Sequence, residues 1–344
     1  MDFIYFTAAE NDEGRRLDRI LKRILPDANA SVIFKSLRKG LIKVNDKKAE
    51  CSIHIANGDK IKIAKFLLSA PDLKNNLANS LESDKSKSSK ESCIDIETVF
   101  KNEYVWIINK PYDIPVQPSE SSKTSLAEII SAKSSSEKDS LSFRTGPLHR
   151  LDRFTTGLLA FSQNLTGAQW FSKAISGETE NNTDDKKIKK IYIGIIQGKL
   201  SSSKTWKNGI EDSNDINSSF HSVKIVGKDE GQIAVTKTFP LAYGKYNGKD
   251  VTLAQFNILT GRKHQIRAQS SFNGFPLLGD DIYGGEVILR KSNFYRKFYL
   301  HAIRMCFPKD NPLKLPEHLE APVPLDFKLF LNSILINWDG GLIL

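Results

Sequence analysis

A polar tract from Ser69 to Cys93 constrains the fold of this chain more than any other feature. It reads SAPDLKNNLANSLESDKSKSSKESC and has no sustained hydrophobic periodicity. A segment of this composition buries too little apolar surface to pack, and it is typical of a flexible linker. The 344 residues of the chain suffice for one domain of about 200 residues or more with a smaller one attached. We therefore predict a small domain over 1–68, a linker over 69–93 and a larger domain over 94–344.

Hydrophobic periodicity predicts two short helices ahead of the linker. Apolar residues recur at helical spacing over 17–25, and a proline then closes that helix. A second helix is predicted over 31–39, with Ser31 as its N-cap. Alternating segments at 41–44 and 60–63 predict two strands. The small domain should therefore contain two helices and a small sheet.

The positive charge of the chain is concentrated in the same region. The formal net charge is +10, and the stretch from Gly14 to Lys48 holds eleven Lys or Arg against three Asp. Such a concentration attracts polyanions without sequence preference. A basic face that is merely solvated is the alternative interpretation.

Several classes of protein are disfavoured by composition. No apolar run approaches the roughly 20 residues that a membrane span requires, and the N-terminus lacks the pattern of a secretory signal. The three cysteines, Cys51, Cys93 and Cys306, have no partner at metal-site or disulfide spacing. We expect a cytoplasmic protein with no membrane partner and no metal.

Strand and helix patterns are mixed without regular alternation in the larger domain, which favours an α+β fold over a doubly wound sheet. The predicted strands cover 99–109, 158–162, 190–197, 232–238 and 252–259, and the predicted helices cover 125–132, 164–176 and 262–273. Three polar tracts, 131–142, 176–187 and 201–219, are predicted to be surface loops.

The segment GPLHRLDRFTTGLL, from Gly146 to Leu159, places an acid between two arginines just before an apolar strand. Neighbouring positive charge favours the ionised form of a carboxylate, and an ionised carboxylate at a strand entrance is a candidate nucleophile or base. The candidate is Asp152. A turn acid that simply pairs with its neighbours is the alternative.

The segment KKIYIGIIQG, from Lys189 to Gly198, has the alternation of a strand. Lys190 and Tyr192 then share one face, so that a cation and an aromatic ring project together. An aromatic ring so placed can stack on a base lifted out of a nucleic-acid helix. Filling of the core is the alternative role for this tyrosine.

The segment LTGRKHQIRAQ, from Leu259 to Gln269, ends a strand and begins a basic helix, and GFPLLGDDIYG follows at 274–284. Backbone N–H groups and cations converge at such a junction, which suits a phosphate or a carboxylate. His264 lacks a second ligand at helical spacing, so a metal site is not predicted.

These three segments resemble the signatures of the RluA-type pseudouridine synthases. The first is similar to H-R-L-D-x-x-T-S-G-L-L, with Thr156 for the usual Ser. The second is similar to K-x-Y-x-A-x-V-x-G, with Gly194 for Ala. The third is similar to T-G-R-x-H-Q-I-R-x-H/Q followed by G-x-P-I-x-G-D-x-x-Y-G. IINKPYDIPVQPS at 107–119, with Asp113 where Gly is usual, and FYLHAIRMCFP at 298–308 look like weaker family motifs. The resemblance covers about 98–330.

The resemblance implies a fold and a set of site residues. The fold is the pseudouridine synthase catalytic fold, a mixed and largely antiparallel sheet with flanking helices. Asp152 would attack the target nucleoside, Tyr192 would be the active-site aromatic and Arg267 would pair with Asp152. Arg150 would fill the space that a flipped uridine leaves in the RNA. The remaining implied substrate contacts are His149, Lys190, Arg262, His264 and Ile266.

The basic region resembles a second family, the αL RNA-binding domain first known from a small-subunit ribosomal protein. The similarity lies in RLDRIL, SVIFKSLRKGLIKVNDKK and NGDKIKI, over about 14–65. One departure is Asp46, where the family often has Gly. This resemblance implies phosphate contacts by Arg15, Arg16, Lys35, Arg38, Lys39 and Lys43.

The implied reaction detaches uracil from its sugar and rejoins it through carbon 5. Because composition does not change, we expect no redox cofactor, nucleotide or metal. Synthases of this type that carry the αL domain usually modify large-subunit ribosomal RNA, so we expect that RNA, rather than transfer RNA, as the partner of a monomeric enzyme. Two alternatives remain, an RNA-binding assembly factor with an inert catalytic domain and an RNA hydrolase with Asp152 as general base.

Overall fold

The structure is a computed structural model that describes residues 2–68, 94–118, 122, 124–134, 140–176, 186–213, 222–227, 230–288 and 297–343. The expected linker, 69–93, lies outside the described residues. The chain divides into two compact units. Unit 1 comprises Met1–Asp95, Ile130–Gly146 and Ser162–Gly167, and unit 2 comprises Ile96–Ile129, Pro147–Phe161 and Ala168–Leu344. The boundaries 1–68 and 94–344 stay a prediction. No pattern in the sequence indicated that two later segments, Ile130–Gly146 and Ser162–Gly167, belong to unit 1.

Two helices and a three-stranded sheet form the first part of unit 1. The antiparallel sheet has the order β1-β3-β2, and the apolar faces of both helices belong to its core. The elements are β1 (Phe3–Thr7), α1 (Leu17–Ile24), α2 (Ala30–Arg38), β2 (Ile42–Val44) and β3 (Lys60–Ala64).

The start of α2 differs from the sequence prediction. Its N-cap is Asn29, whose side chain accepts a hydrogen bond of 3.0 Å from the backbone N–H of Val32. Ser31, the predicted cap, already lies inside the helix. Asn and Ser are almost equally good caps, so residue type alone could not choose between two positions separated by two residues.

A buried carboxylate joins the N-terminal region of unit 1 to one of its later segments. Asp12 is fully buried and accepts hydrogen bonds from the Ser140 hydroxyl at 2.8 Å and from the backbone N–H groups of Leu141 and Ser142 at 2.9 Å. Burial by itself raises the pKa of Asp12, but these hydrogen bonds favour the ionised form and hold the pKa below its usual value. The segment 140–142 is therefore fixed to Asp12 within unit 1.

A long sheet organises unit 2. Its strand order is β4-β5-β6-β12-β7-β11-β10-β8-β9, with β13 paired to β12. The β6–β12 pair is parallel, and the pairs from β12 through β7, β11, β10 and β8 to β9 are antiparallel. This confirms the predicted α+β class with a mixed, largely antiparallel sheet. The strands are β4 (Thr98–Lys101), β5 (Val105–Lys110), β6 (Thr156–Ser162), β7 (Lys189–Gln197), β8 (Lys204–Asp212), β9 (Val223–Val226), β10 (Gln232–Tyr246), β11 (Lys249–Ile258), β12 (Leu300–Cys306) and β13 (His318–Glu320).

Helices cover the sheet, as the fold prediction requires. They are α3 (Leu126–Lys133), α4 (Leu165–Ser176), α5 (Gln265–Phe272) and α6 (Leu325–Ser333). Phe327 and Leu331 of α6 pack in one core cluster with Ile193 of β7 and Leu253 of β11. No helix within the described ranges combines the length and the apolar character needed to cross a membrane.

Two predictions in unit 2 were wrong in detail. Part of the predicted loop 201–219 is strand β8, which pairs with β10 and buries Trp206 and Ile210. Long-range pairing overrides the weak strand propensity of this polar segment. Helix α5 begins at Gln265 and not at 262, because His264 has a left-handed backbone with φ of 51°.

Candidate active site

A cavity of about 210 Å³ lies in unit 2, where the loop before β6 meets the start of β7 and the junction of β11 with α5. All three sequence segments contribute to it. Its lining includes His149, Arg150, Asp152, Lys190, Tyr192, Arg262, His264, Ile266 and Arg267. The structure therefore brings together every site residue that the larger domain was expected to supply.

The loop that carries Asp152 is held against β6. The backbone N–H of Leu148 donates to the carbonyl of Ala160 at 2.8 Å, and the N–H of Ala160 donates to Nε2 of His149 at 3.1 Å. Burial, and then the positive charge of Lys190, lowers the pKa of His149 to about 3. His149 is therefore a neutral imidazole that helps to hold the loop.

A buried lysine fixes the residue that follows Asp152. The Nζ of Lys110, a residue of β5, donates to the carbonyl of Arg153 at 2.8 Å. The side chain of Arg153 in turn pairs with Asp113 at 2.6 Å. Asp113 has φ of 64°, a left-handed conformation that Gly adopts freely and Asp tolerates. This explains why the resembling family usually has Gly at that position.

Gly157 allows β6 to approach β12 closely. It has φ of 106°, and a Cβ atom at this position would lie 2.3 Å from the carbonyl oxygen of Ala302. Beside it, the hydroxyl of Thr156 lies 2.8 Å from Nδ1 of the buried His301. The Thr that replaces the usual Ser thus keeps a hydroxyl contact at the start of β6.

Asp152 faces two nitrogen groups. Its Oδ2 lies 3.6 Å from Nη1 of Arg267, and its Oδ1 lies 3.7 Å from Nε2 of His264. Both distances exceed the normal hydrogen-bond range. Its side chain is 16% exposed. The carboxylate therefore lies in a positive field and keeps room for a reacting partner.

Arg267 is held by a second, fully buried carboxylate. Its Nε and Nη2 donate to the two oxygens of Asp280 at 2.6 and 2.8 Å, and the exposed fraction of Asp280 is 1%. Burial alone lowers the pKa of Arg267, but the hydrogen bonds to Asp280 and the charge of Asp152 outweigh it and raise that pKa. Arg267 is therefore a fixed cation whose orientation Asp280 determines.

The tautomer of His264 follows from its partner Tyr283. The hydroxyl oxygen of Tyr283 accepts a hydrogen bond from the N–H of Val223 at 2.9 Å and lies 2.9 Å from Nδ1 of His264. The Tyr283 hydroxyl accepts from Val223 and can therefore donate its own hydrogen to Nδ1 of His264. The proton of the neutral histidine is then on Nε2, which faces Asp152. Burial lowers the pKa of His264 to about 4, although the charge of Asp152 opposes this. A neutral N–H therefore faces the carboxylate near pH 7.

Tyr192 lies in β7 and is buried, with an exposed fraction of 5%. Burial, reinforced by the charge of Asp152, raises the pKa of its phenol. Tyr192 is therefore a neutral aromatic surface beside the carboxylate, a state that suits stacking on a base.

The other predicted contacts lie around this centre. Arg150 and Arg262 are exposed at the cavity lining, and Ile266 is buried. Nε of Arg262 donates to the carbonyl of Ile233 at 3.2 Å. The guanidinium of Arg150 is thus placed to reach a large ligand.

The basic residues predicted to bind RNA in the small domain fall into two groups. Arg15 donates to the carbonyl of Ser142 at 3.0 Å, and Arg16 pairs with Asp18 at 3.0 Å. The second group has no ion pair among the described residues, and we call it the α2 basic surface. It consists of Lys35, Arg38, Lys39 and Lys43, beside the exposed ring of Phe34.

Three residues of the site were missed by sequence reasoning. Asp280 and Tyr283 stand in the segment 274–284 but were given no role, and Lys110 was passed over in the weaker motif. A run of Gly, Asp and Tyr after the basic helix was the only signal for Asp280 and Tyr283. Within the described residues no cluster of His, Cys, Asp and Glu could hold a metal ion.

Comparisons with known proteins identify the family. Residues 104–272 match the family model described as RNA pseudouridylate synthase. "Ribosomal large subunit pseudouridine synthase C" of Rickettsia felis is 30% identical over 91% of this chain and 94% of its own length, and the protein of the same name from Rickettsia conorii is 29% identical over 91% and 95%. The solved structure of "Human RNA Pseudouridylate Synthase Domain Containing 4" superposes with a TM-score of 0.52 at 19% identity, over 70% of this chain and 94% of that one, which supports the fold.

The chain belongs to the RNA pseudouridylate synthase family, and its motifs are those of the RluA type. It is an isomerase that converts uridine in RNA to pseudouridine.

Proposed function

We propose that this enzyme modifies large-subunit ribosomal RNA, and that Asp152 is the nucleophile acting on a uridine flipped out of its helix. The observation that carries the proposal is the placement of the Asp152 carboxylate in the cavity, 3.6 Å from the fixed guanidinium of Arg267 and outside hydrogen-bond range of its neighbours. A carboxylate with a bound partner at hydrogen-bond distance would have to break that contact before reacting. Asp152 does not.

The chemistry sets the demands on the site. The bond from C1′ of the ribose to N1 of uracil breaks, and a bond from C1′ to C5 forms. C5 loses its hydrogen as a proton and N1 gains a proton, so the composition is unchanged. Asp152 supplies the carboxylate, whether it attacks the sugar or the base or promotes a glycal route. Preorganised charge aimed at the reacting group lowers the barrier without reorganisation, and Arg267 is held for that purpose.

Base flipping is supported by the surroundings of Asp152. Extrusion of a nucleotide costs a few kcal/mol, and two contacts are available to offset it. Tyr192 offers a buried aromatic surface for the uracil, and the exposed Arg150 at the rim can occupy the space left in the RNA. The other proposed substrate contacts in the cavity are His149, Lys190, Arg262, His264 and Ile266.

The substrate assignment rests on the relatives. Two proteins named "Ribosomal large subunit pseudouridine synthase C" cover more than nine-tenths of this chain, and the α2 basic surface offers phosphate contacts in addition to the cavity. Because isomerisation leaves composition unchanged, we propose that the enzyme needs no cofactor or metal. We further propose that it acts as a monomer.

The test is deletion of the gene followed by mapping of pseudouridine in large-subunit rRNA, small-subunit rRNA and transfer RNA. Complementation uses the wild type and Asp152→Asn, which keeps the side-chain volume and removes the charge. We expect particular large-subunit sites to disappear and to return only with the wild type. Persistence of every site would contradict the enzyme's proposed substrate, and full restoration by a folded Asp152→Asn protein would contradict the nucleophile.

The same experiment separates the alternative functions. Shortened RNA in place of isomerised uridine would indicate a hydrolase with Asp152 as general base. Asp280 does not serve as the second carboxylate of such an enzyme, since both of its oxygens bind Arg267. Defective ribosome assembly with all pseudouridines intact would indicate an RNA-binding assembly factor.

A further inference from the structure

Lys190 carries a buried charge that no residue in the described part of the chain neutralises. The exposed fraction of the residue is 8%, and among the described residues no carboxylate pairs with its ammonium group. Burial lowers its pKa to about 8. A desolvated charge without a partner is unfavourable, so its presence in the cavity lining calls for a ligand that supplies the missing charge.

The neighbours of Lys190 cannot supply it. Asp152 is the carboxylate in the cavity lining, but its two oxygens face Arg267 and His264 and not Lys190. His149 is neutral, and its Nε2 already accepts from Ala160. The proton of that neutral ring is therefore on Nδ1, which makes it a donor toward its surroundings.

The ammonium group of Lys190 lies close to the backbone at Gly261, where any larger residue would crowd it. A Cβ atom on Gly261 would lie 3.1 Å from Nζ of Lys190, closer than such atoms comfortably approach. The next residue is Arg262, and Arg150 lines the same cavity. Lys190, Arg262 and Arg150 are thus three cationic residues in the lining of one cavity.

We propose that Lys190 binds a backbone phosphate next to the target uridine, as an anion subsite within the active-site cavity. The inference rests on the proposed function, because it requires an RNA nucleotide in this cavity. Uracil is neutral and offers only partial charge at its carbonyl oxygens, whereas a phosphodiester supplies a full negative charge. Lys is a compact point charge that suits a single phosphate oxygen.

The test is a double-mutant cycle between protein and RNA. The protein variant is Lys190→Met, which keeps the unbranched chain and removes the charge. The RNA is an oligonucleotide that carries the mapped uridine, made with a neutral methylphosphonate at the phosphate on its 5′ side or on its 3′ side. Lys189→Met is the matched control, since Lys189 is the exposed neighbour in the same strand.

We expect Lys190→Met to weaken RNA binding by about tenfold to a hundredfold, the effect of one charged hydrogen bond. The slope of log affinity against log salt should fall by about 1. One of the two methylphosphonates should weaken wild-type binding to a similar degree and have almost no further effect on the variant. Lys189→Met should leave both quantities unchanged, and Lys190→Arg should keep part of the affinity.

Two outcomes would overturn the proposal. The first is a loss of RNA affinity in Lys190→Met that is the same with either methylphosphonate as with the unmodified RNA. That result would mean that Lys190 contacts the base or the sugar and not a phosphate. The second is wild-type affinity in Lys190→Met. Failure of the proposed function is seen separately, because the wild type would then form no pseudouridine in the unmodified oligonucleotide.

Discussion

Two nitrogens of Arg267 bind both carboxylate oxygens of Asp280, at 2.6 and 2.8 Å, while its third nitrogen lies 3.6 Å from Asp152. The guanidinium thus bridges a buried structural carboxylate and the carboxylate proposed to react. Arginine presents its donors in a rigid plane, so fixing two of them fixes the third. Asp280 is a positioning residue by this argument, and it acts on Asp152 through Arg267.

The first prediction concerns Asp280→Asn. The amide can accept only one hydrogen bond from Arg267 and turns a donor toward the other, so Arg267 loses its fixed orientation. We expect the single-turnover rate to fall about 100-fold, the scale of a 1 Å misplacement, with little change in RNA affinity. Stability should fall by about 3–5 kcal/mol, because a buried pair is broken. Rates and melting curves are measured together.

Two further variants make this prediction specific. Asp281→Asn changes the exposed neighbour and should keep the wild-type rate. In an Arg267→Gln background, where the link is already lost, adding Asp280→Asn should lower the rate little further. Independent, fully additive losses would show that Asp280 does not act through Arg267.

The second prediction separates the hydroxyl of Tyr283 from its ring. The ring lies 4.9 Å from the guanidinium carbon of Arg267, and Tyr283→Phe keeps that contact while removing the donor to His264. The N–H of Val223 also loses its acceptor, so we expect a loss of about 1–3 kcal/mol in stability. The rate should fall about tenfold, because His264 is free to present the wrong nitrogen to Asp152.

The pH dependence of the wild type tests the same tautomer. With pKa values of about 4 for His264 and about 3 for His149, neither ring gains a proton between about pH 5.5 and 7.5, whereas an ordinary histidine does so near 6.5. The rate should therefore show no histidine inflection in this range. An inflection that vanishes in His264→Gln would mean that Asp152 faces a cation and not a neutral N–H.

The sequence predicted those parts of the fold and site that depend on local pattern. Strand alternation put Lys190 and Tyr192 on one face of β7, and both line the cavity. The role of Asp280 depends on a loop that returns to Arg267 after a helix and a turn, and no local pattern encodes that. Strand β8 was missed for a similar reason, since its pairing with β10 comes from a segment twenty and more residues away. The left-handed φ of His264 also has no signature in residue type.

The third prediction concerns stability at alkaline pH. The pKa of Lys190 falls from 10.5 to about 8 on folding, which corresponds to a penalty of about 3 kcal/mol. Between these pH values the unfolded chain binds more protons than the folded one, so stability rises with pH there. Below pH 8 the penalty is complete. Lys190→Met removes it, so this variant should be more stable than the wild type at pH 7.

The measurement is urea unfolding of both proteins at pH 7, 9 and 10.5. The gain in unfolding free energy of Lys190→Met over the wild type should shrink as pH rises from 8 to 10.5. Lys189→Met should show no such gain. A Lys190→Met protein that is less stable than the wild type at pH 7 would mean that the lysine supports the fold. Greater stability with weaker RNA binding is instead the trade-off typical of a functional site.

The fourth prediction concerns the α2 basic surface. Its side chains have no ion pair among the described residues, and Phe34 beside them is 48% exposed. Each phosphate contact contributes about 0.7 to the salt dependence of binding to single strands. Replacement of three cations by Gln should therefore weaken RNA binding by tenfold or more at about 0.15 M salt and lower the salt slope by about 2. The residues changed are Lys35, Arg38 and Lys39.

The control removes the same charge elsewhere. The control variant replaces three exposed lysines that already pair with Glu211, Asp250 and Glu286. Loss of these lysines should change the salt slope of RNA binding much less. These lysines are Lys224, Lys245 and Lys249. The single-turnover rate at saturating enzyme should be unchanged in both triple variants, because Asp152, Tyr192 and Arg267 are untouched. A lower saturating rate with unaltered affinity in the α2 variant would show that this surface acts on the reaction and not on RNA capture.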